Sequence, residues 1–253
     1  MKKKKDEITI SFVVPVHNDG NSIEKMVKSV LDQDLPGIEI IAVNDGSTDD
    51  SKKVLDGLVE MDWIKVIHLE KNEGACVARN RGAKEAKGKY LSFLPADAIL
   101  YPGMARIWYD MLEEHPDFDF LYGGYRFIDE DDEPIPGSDM FFQPFEPYAL
   151  EVTNYIDGSF PIRREAFWKY AKLMNQPDGL WDKNIKSLQD WDLWLSVVKN
   201  GGKGIYIPDI FFGTTMPHPG GLSFDSANNW LDRTEAIKKK HNIPIRKLCV
   251  ASL

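Results

Sequence analysis

The first hundred residues alternate short apolar runs with segments in which apolar residues recur every three or four positions. The apolar runs predict four β-strands, at Ile8–Val16, Ile38–Val43, Ile64–Leu69 and Tyr90–Leu94. The periodic segments predict three α-helices, at Ile23–Leu31 with Asn21 and Glu24 as a capping box, at Ser51–Glu60 and at Ala75–Ala86. Strands joined by helical crossovers form a parallel sheet with helices on both faces. The pattern therefore predicts an α/β fold.

The pattern changes after about Asp119, where strands and helices no longer alternate regularly. The expected elements are a strand at Phe120–Ile128, a charged turn at Asp129–Pro134, helices at Arg164–Leu173 and Leu188–Lys199, a strand at Gly204–Ile207, a Pro/Gly-rich loop at Thr214–Ser223 and a closing helix at Ala227–Lys240. No repeat or long linker separates this part from the first. We expect one domain over residues 1–225, built from halves 1–100 and 101–225, followed by a helix and tail at 226–253.

Composition narrows the class of protein. The 253 residues include 31 Lys and Arg against 40 Asp and Glu, so the formal net charge is −9. An acidic chain is a poor general binder of nucleic acids or of membrane surfaces, because both need a cationic face. Cys76 and Cys249 are too few for a disulfide framework or a structural zinc site. The basic start is followed at once by Asp6 and Glu7, unlike a signal peptide, and no apolar run is long enough to span a membrane. We expect a cytoplasmic protein with at most peripheral membrane contact.

Ligands of parallel α/β sheets bind beyond the carboxyl ends of the strands, and three loops there carry polar side chains. The loop Asn44–Asp49 is either a turn with a helix cap or a carboxylate site at Asp45. In the segment Asn72–Gly82, Arg79 is either a solvated helix charge or a phosphate ligand near a helix start. Asp97 is either a cap or a ligand of a divalent cation, which would also need substrate oxygens.

A fourth segment, Ser187–Trp194, opens a predicted helix. Ser187 and Asp190 have the spacing of a capping box in front of an apolar face. A carboxylate at this position would equally serve as a general base if it faces a pocket. The residues alone leave both interpretations open.

The order and spacing of five motifs resemble those of family-two glycosyltransferases. The motifs are Pro15–Asn18, Asn44–Asp49, Asn72–Gly82, Gly88–Asp97 and Gln189–Trp194, and the resemblance extends over about Ile8 to Ser223. It implies a GT-A fold, in which a nucleotide-binding αβα sandwich merges into an acceptor-binding half. It also implies transfer of a sugar from a nucleotide diphosphate, typically UDP, to a hydroxyl group in one inverting displacement. The acceptor would be a sugar, a glycan or a lipid-linked glycan, in polysaccharide or glycoconjugate synthesis.

The resemblance also assigns roles to residues of this chain. Donor-binding residues would be Pro15, Val16, His17, Asn18, Asp45, Arg79, Ala96 and Asp97. Asp45 would accept a hydrogen bond from the base, and Asp97 would ligate Mn²⁺ or Mg²⁺ as the last carboxylate of the family's Asp-x-Asp motif. Asp190 would be the catalytic base. His218 would complete the metal shell, or it would be a turn residue between two prolines.

Two residues depart from the family's pattern. Pro95 stands where the family usually has the first Asp of Asp-x-Asp, and Gln189 replaces the usual Glu before the base. These departures keep open an alternative, a glycosyltransferase-like binding protein without turnover. A sugar nucleotidyltransferase is less favoured, because the loop Val16–Asn21 lacks the cation of a phosphate-binding loop. The aromatic residues of Phe141–Trp181 either pack in the core or stack on sugars.

Overall fold

The computed structural model of the protein describes residues 8–216 and 230–244. The strands in these residues are β1 (Ile10–Val16), β2 (Ile38–Asp45), β3 (Lys65–Leu69), β4 (Tyr90–Ser92), β5 (Ile99–Leu100), β6 (Phe120–Ile128), β7 (Ile162–Arg163) and β8 (Gly204–Thr215). The helices are α1 (Ile23–Leu31), α2 (Ser51–Glu60), α3 (Ala75–Glu85), α4 (Met104–Glu114), α5 (Pro147–Val152), α6 (Arg164–Leu173), α7 (Gln189–Val198) and α8 (Trp230–Lys240).

All eight described strands form one sheet, in the order β3-β2-β1-β4-β7-β6-β8-β5. The pairs β1–β2, β1–β4, β2–β3 and β6–β8 are parallel, whereas β4–β7, β6–β7 and β5–β8 are antiparallel. The prediction of a mostly parallel α/β sheet is confirmed. The first half of the chain supplies one all-parallel region, and the antiparallel β7 joins it to the strands of the second half.

Burial explains why the first strands could be predicted from apolar runs. Nearly every residue of β1 and β2 is buried, as expected for central strands covered by helices on both faces. Helix α1 buries Ile23, Met26, Val27 and Val30 on one face and exposes its charged residues on the other. The bounds predicted for α2, α6 and β6 agree with the structure.

Two helices, two short strands and part of a third strand differ from the predictions. Helices α4 and α5 were not predicted, and neither were the two-residue strands β5 and β7. Strand β8 continues from Ile207 to Thr215, so the loop predicted from Thr214 begins two residues too early. The register between β6 and β8 shifts around Gly124, and Pro208 lies in the irregular stretch of β8, where a residue without a backbone N–H is tolerated.

The cap predicted for α1 is wrong. The helix begins at Ile23 with Ser22 at the N-cap position, and no side chain caps it. The backbone carbonyl of Asp19 instead accepts from the N–H groups of Ser22 and Ile23, both at 3.1 Å. Glu24 forms an exposed ion pair with Lys28 at 2.6 Å. A backbone turn therefore replaces the capping box.

Helix α8 packs against α7 through a buried ionic cluster. The carboxylate of Asp192, which is 1% exposed, lies 2.7 Å from Nζ of Lys240 and 2.8 Å from Nε2 of His241. Lys240 also contacts Asp182 at 2.8 Å. The contacts with Asp192 fix α8 to the helix that carries Asp190. No helix within residues 8–216 and 230–244 is both long and apolar enough to cross a bilayer.

Candidate active site

The loops that follow β1, β2 and β3 are joined through Asp45. One carboxylate oxygen of Asp45 accepts from the backbone N–H of Glu73 at 2.7 Å, and the other accepts from that of Gly74 at 2.8 Å. Gly74 has φ +97°, a conformation that suits glycine, and α3 begins directly after it. Asp45 is buried and holds the start of α3 in place. Each of its oxygens keeps a second lone pair with which to accept from a ligand.

His17 and Asn18 extend this arrangement towards solvent. Nδ1 of His17 lies 2.8 Å from the backbone carbonyl of Asp45, so Nδ1 carries the proton and donates it. Nε2 then accepts from the side-chain amide of Asn72 at 3.0 Å. Asn18 has φ +62°, and its side-chain oxygen accepts from the backbone N–H of Thr48 at 2.8 Å. Both side chains are exposed at the carboxyl end of the sheet, whereas Val16 is fully buried.

Asp97, in the loop between β4 and β5, lies beside the end of β8. The hydroxyl of Thr214 lies 3.4 Å from both Asp97 oxygens, and the hydroxyl of Thr215 donates to one of them. Asp19, which sequence reasoning did not select, lies close enough for the charge of Asp97 to raise its pKa, although burial is the larger cause. The backbone N–H of His17 opposes both effects by donating to Asp19. Ala96, the residue before Asp97, is buried.

The oxygen atoms around Asp97 suit a hard divalent cation in kind but not in number. Carboxylate and hydroxyl oxygens are the ligands that Mg²⁺ and Mn²⁺ prefer. In the described part of the chain, however, no three acidic, histidine or cysteine side chains lie close enough to hold a metal together. The residues present therefore fit a cation only if the substrate supplies further oxygens. His218 lies outside the described residues.

Asp190 lies in the first turn of α7 and is held by two hydrogen bonds. Its Oδ2 accepts from the side-chain amide of Asn154 at 2.8 Å, and its Oδ1 accepts from the backbone N–H of Trp191 at 2.9 Å. Burial and the carboxylate of Asp157 raise the pKa of Asp190 to about 6, against the opposing effect of these two donors and Arg79. The carboxyl group is thus poised to exchange a proton near neutral pH.

The capping box predicted for this helix does not form. The residue at the N-cap position is Leu188 with φ +52°, and no side chain caps the helix. The hydroxyl of Ser187 is buried and makes no hydrogen bond. Asp190 instead accepts from Asn154 and from the N–H of the next residue, Trp191, so it does not form the reciprocal pair with Ser187 that a capping box requires. The structural alternative to a catalytic role at Asp190 is therefore weakened.

Arg79 is not a solvated helix charge. Its guanidinium stacks 4.3 Å above the ring of Trp181, and Nη1 donates to the side-chain oxygen of Gln189 at 2.8 Å. Burial lowers the pKa of Arg79, whereas the charges of Asp190 and Asp157 oppose that effect. Arg79 thus links α3, whose start is held by Asp45, to the helix of the candidate base.

The structure brings the predicted residues into two adjoining groups. His17, Asn18 and Asp45 surround the start of α3, and Arg79 further along this helix donates to Gln189, the neighbour of Asp190. Strand β8 provides a second connection, because Phe212 stacks on Tyr125 at 5.5 Å and Thr214 contacts Asp97. Burial raises the pKa of Tyr125, and Asp157 and Asp190 raise it further, so this phenol faces the same carboxylates.

Besides Asp19, three residues of the site were missed by sequence reasoning: Tyr125, Asn154 and Asp157. Asn154 meets Asp190 across 36 positions of the chain, so no local motif contains both. Of the aromatic residues in Phe141–Trp181, Tyr155, Phe160, Phe167, Tyr170 and Trp181 are buried, as core packing predicts. Phe141 and Tyr148 are exposed.

Acidic and amide side chains at the carboxyl edge of the sheet lie where open α/β folds bind ligands, and the raised pKa of the nearby Asp190 marks a candidate functional site. The family model for glycosyl transferase family 2 matches residues 11–171. GlyG of Streptococcus pneumoniae is 35% identical over 165 residues, which are 62% of this chain and 53% of that protein. TuaG of Bacillus subtilis, named for teichuronic acid biosynthesis, is 31% identical over 201 residues, 76% of this chain and 73% of TuaG. The chain belongs to glycosyl transferase family 2.

Solved structures agree on the fold. Residues 1–349 of S. aureus TarS in complex with UDP-GlcNAc superpose with a TM-score of 0.69 at 20% identity, over 85% of this chain and 61% of that one. PcManGT, a mannosyltransferase from Pyrobaculum calidifontis in complex with GDP-Man and Mn²⁺, gives 0.63 at 16% identity, over 85% and 59%. These matches confirm the GT-A type of fold. The chain spans about half the length of GlyG and 32% of a Rickettsia conorii glycosyltransferase that it also matches.

Proposed function

We propose that this protein transfers a sugar from a nucleotide diphosphate, most simply UDP, to a hydroxyl group with inversion at the anomeric carbon. The observation that carries this proposal is the state of Asp190, a fixed carboxylate whose pKa is raised to about 6. An alcohol is a weak nucleophile, so a base must remove its proton during the attack. A carboxylate with a pKa near 6 is a stronger base than an ordinary one and is still ionised at neutral pH.

Inversion follows from a single displacement. Asp190 would deprotonate the acceptor hydroxyl, whose oxygen attacks the anomeric carbon as the bond to the diphosphate breaks on the opposite face. The proton then resides on Asp190, and the diphosphate leaves with the electron pair. No covalent enzyme intermediate is required, and one base is sufficient for this reaction.

The donor would lie along the edge formed by the loops after β1, β2 and β4. His17 and Asn18 present exposed polar groups there, Pro15 and Val16 supply the underlying backbone, and Asp45 keeps free lone pairs for a base N–H. We assign the diphosphate to the region of Ala96 and Asp97. The complexes of TarS with UDP-GlcNAc and of PcManGT with GDP-Man motivate the nucleotide sugar, and UDP is the first donor to test.

Asp97, with substrate oxygens and His218, would hold a divalent cation. When bound, a cation of this kind offsets the negative charge of the departing diphosphate. The side chains of Thr214 and Thr215 keep the Asp97 carboxylate in a fixed orientation. A role in polysaccharide or glycoconjugate synthesis is proposed on the names of the relatives, TuaG above all.

The test compares wild type with Asp190→Asn. UDP release from UDP-GlcNAc and other UDP-hexoses would be measured with simple sugar acceptors, and UDP and GDP binding by calorimetry. We expect the variant to bind UDP like wild type but to lose transfer, since the base acts on the acceptor. The matched control is Asp178→Asn, because Asp178 is exposed and paired with Lys84. Substantial turnover in Asp190→Asn would refute the assignment of the base.

The same experiment addresses the second candidate function, a binding protein without turnover, which Pro95 and Gln189 motivate. This alternative expects nucleotide binding in the wild type without any release of UDP from a complete panel of donors and acceptors. Turnover that is lost specifically in Asp190→Asn would exclude it.

A further inference from the structure

Residues 154–159 wrap around the start of α7, where Asp190 lies. At one end of this segment, the amide of Asn154 donates to Asp190 at 2.8 Å. At the other end, the indole N–H of Trp194, one turn along α7, donates to the backbone carbonyl of Asp157 at 3.0 Å. The segment is therefore fixed to one face of the helix at two successive turns.

Directly after Asp157, the backbone at Gly158 lies against the proposed base. A Cβ at Gly158 would lie 3.3 Å from Cβ of Asp190 and 2.6 Å from the ring of Trp181. No side chain fits at this position without displacing the indole. The preceding residue, Asp157, is consequently held beside Asp190 by the path of the chain itself.

The side chain of Asp157 is also fixed. Its Oδ1 accepts from the backbone N–H of Ser159 at 2.8 Å, in a tight turn of three residues. Asn154 is oriented in the same way, since its Oδ1 accepts from the backbone N–H of Ile156 at 3.3 Å, which directs its amide N–H groups towards Asp190. The segment thus presents one neutral donor and one carboxylate to the base.

The guanidinium of Arg79 places a positive charge beside this arrangement. Arg79 on α3 donates to Gln189, the neighbour of Asp190, at 2.8 Å. Because Gln189 is neutral, its amide accepts this hydrogen bond without cancelling the guanidinium charge. In the described part of the chain, the charged and titratable groups that act on Asp190 are thus Asp157 from the segment, Arg79 from α3 and Tyr125 from β6.

We propose that Asp157 is a positioning residue of this transferase: together with Arg79 it sets the pH at which Asp190 becomes an active base. The inference rests on the proposed function, because it assigns Asp190 as the base. A carboxylate beside Asp190 disfavours ionisation of Asp190, whereas a guanidinium favours it. Both effects have the sign that these charges require, since Asp157 raises the pKa of Asp190 and Arg79 lowers it. Tyr125 stays neutral and provides no charge of its own in the working pH range.

Two substitutions of nearly unchanged shape test the proposal in opposite directions. The pH profile of kcat/KM for UDP release reports the ionisation of the free enzyme, and we expect an acidic limb near pH 6 in wild type. Asp157→Asn removes the like charge and should move the limb to lower pH by about one pH unit. Gln189→Glu adds a carboxylate that pairs with Arg79, so the limb should move to higher pH. Asp178→Asn, on the exposed surface, should leave the limb in place.

A merely structural role for Asp157 would lower kcat at every pH and leave the limb where it is. The inference would be overturned if the acidic limb of the pH profile stayed in place in both variants, or if it moved in the same direction in both. The two shifts are also expected in a carbon-13 NMR titration of the Asp190 carboxyl group, which needs no turnover. If Asp190→Asn retains transfer, the proposed base fails. If Asp190→Asn is inactive and neither variant shifts the titration, only the role of Asp157 fails.

Discussion

Asp190, the candidate base, should lower the free energy of unfolding of the protein. Burial, followed by the charge of Asp157, raises the pKa of Asp190 from 3.8 to about 6. In the unfolded chain the same carboxyl group ionises at its ordinary pKa. At neutral pH the folded protein therefore holds a carboxylate in surroundings that disfavour its charge. Asp190→Asn removes that charge, so we expect the inactive variant to be more stable than wild type.

The magnitude follows from the shift in pKa. A shift of about two pH units, at about 1.4 kcal/mol per unit, corresponds to about 3 kcal/mol. The amide oxygen of the variant can replace only one of the two acceptor oxygens that Asn154 and Trp191 now contact. One lost hydrogen bond costs about 1 kcal/mol, which leaves a gain of about 2 kcal/mol. For a chain of this size, the melting temperature would rise by about 4–8 °C.

The pH dependence gives the sharper test. Because the folded-state pKa is raised, the destabilisation is absent below about pH 4, grows between about pH 4 and pH 6 and is constant above that range. The advantage of Asp190→Asn should grow over the same window. Urea unfolding followed by tryptophan fluorescence at pH 4, 5, 6 and about 7.5 would measure it. Asp178→Asn, at an exposed ion pair, should change the free energy of unfolding by no more than about 0.5 kcal/mol.

The opposite sign would refute this reasoning. If the main effect of Asp190 were to complement the positive end of α7, the carboxylate would stabilise the helix by about 1 kcal/mol. Asp190→Asn would then be less stable than wild type at neutral pH. A difference in stability that does not vary between about pH 4 and pH 7 would likewise show that burial of the charge is not the dominant effect.

Other contacts lead to three more expectations. Gly158→Ala places a Cβ 2.6 Å from the ring of Trp181, so urea unfolding should show a loss of about 1–3 kcal/mol; an unchanged midpoint would mean that the ring moves freely. Asp192→Asn breaks a buried pair with Lys240 and should lower the free energy of unfolding by about 3 kcal/mol or more. An unfolding curve of the variant that matches that of wild type would contradict this. Asp97→Ala should abolish the mutual strengthening of UDP and Mn²⁺ binding in calorimetry; retained coupling would exclude Asp97 as a ligand.

The fold of the first half was predictable because each element there carries a local signal. Strands β1 and β2 are continuous apolar runs, and α1 buries one stripe of side chains. Helix α4 had the same signal, since Ala105, Trp108 and Leu112 are its buried residues, but it follows Gly103 and has no side-chain cap to mark its start. Periodicity without a start signal was not enough to recognise it.

Helix α5 and the far part of β8 depend on tertiary contacts. Helix α5 has six residues, too few to be stable alone, and the indole N–H of Trp191 donates to the carbonyl of Leu150 within it at 2.6 Å. Strand β8 contains Pro208 and is continuous only because β6 accommodates a shift in register. Neither feature has a counterpart in the local sequence.

The candidate site was likewise predictable only where a local motif marks its residues. Motifs of a few residues pointed to Asp45, Asp97 and Asp190, and the structure brings each of them to the carboxyl edge of the sheet or to the helix beside it. Burial and Asp157 raise the pKa of Asp190 and the amide of Asn154 lowers it, and these groups meet Asp190 only after folding. Sequence motifs thus located the candidate base and Arg79 but neither Asn154 nor Asp157.

The two departures from the family's pattern have different physical consequences. Pro95 removes a carboxylate near Asp97, which leaves fewer protein ligands for a cation. Gln189 removes a charge beside the base but keeps the hydrogen bond to Arg79. A carboxylate there would neutralise Arg79 and weaken the effect that favours ionised Asp190. We therefore expect the glutamine to favour the ionised form of Asp190 that a base requires. Loss of function, if it occurs, is to be expected at the metal, where a nucleotide's phosphates would have to supply the missing oxygens.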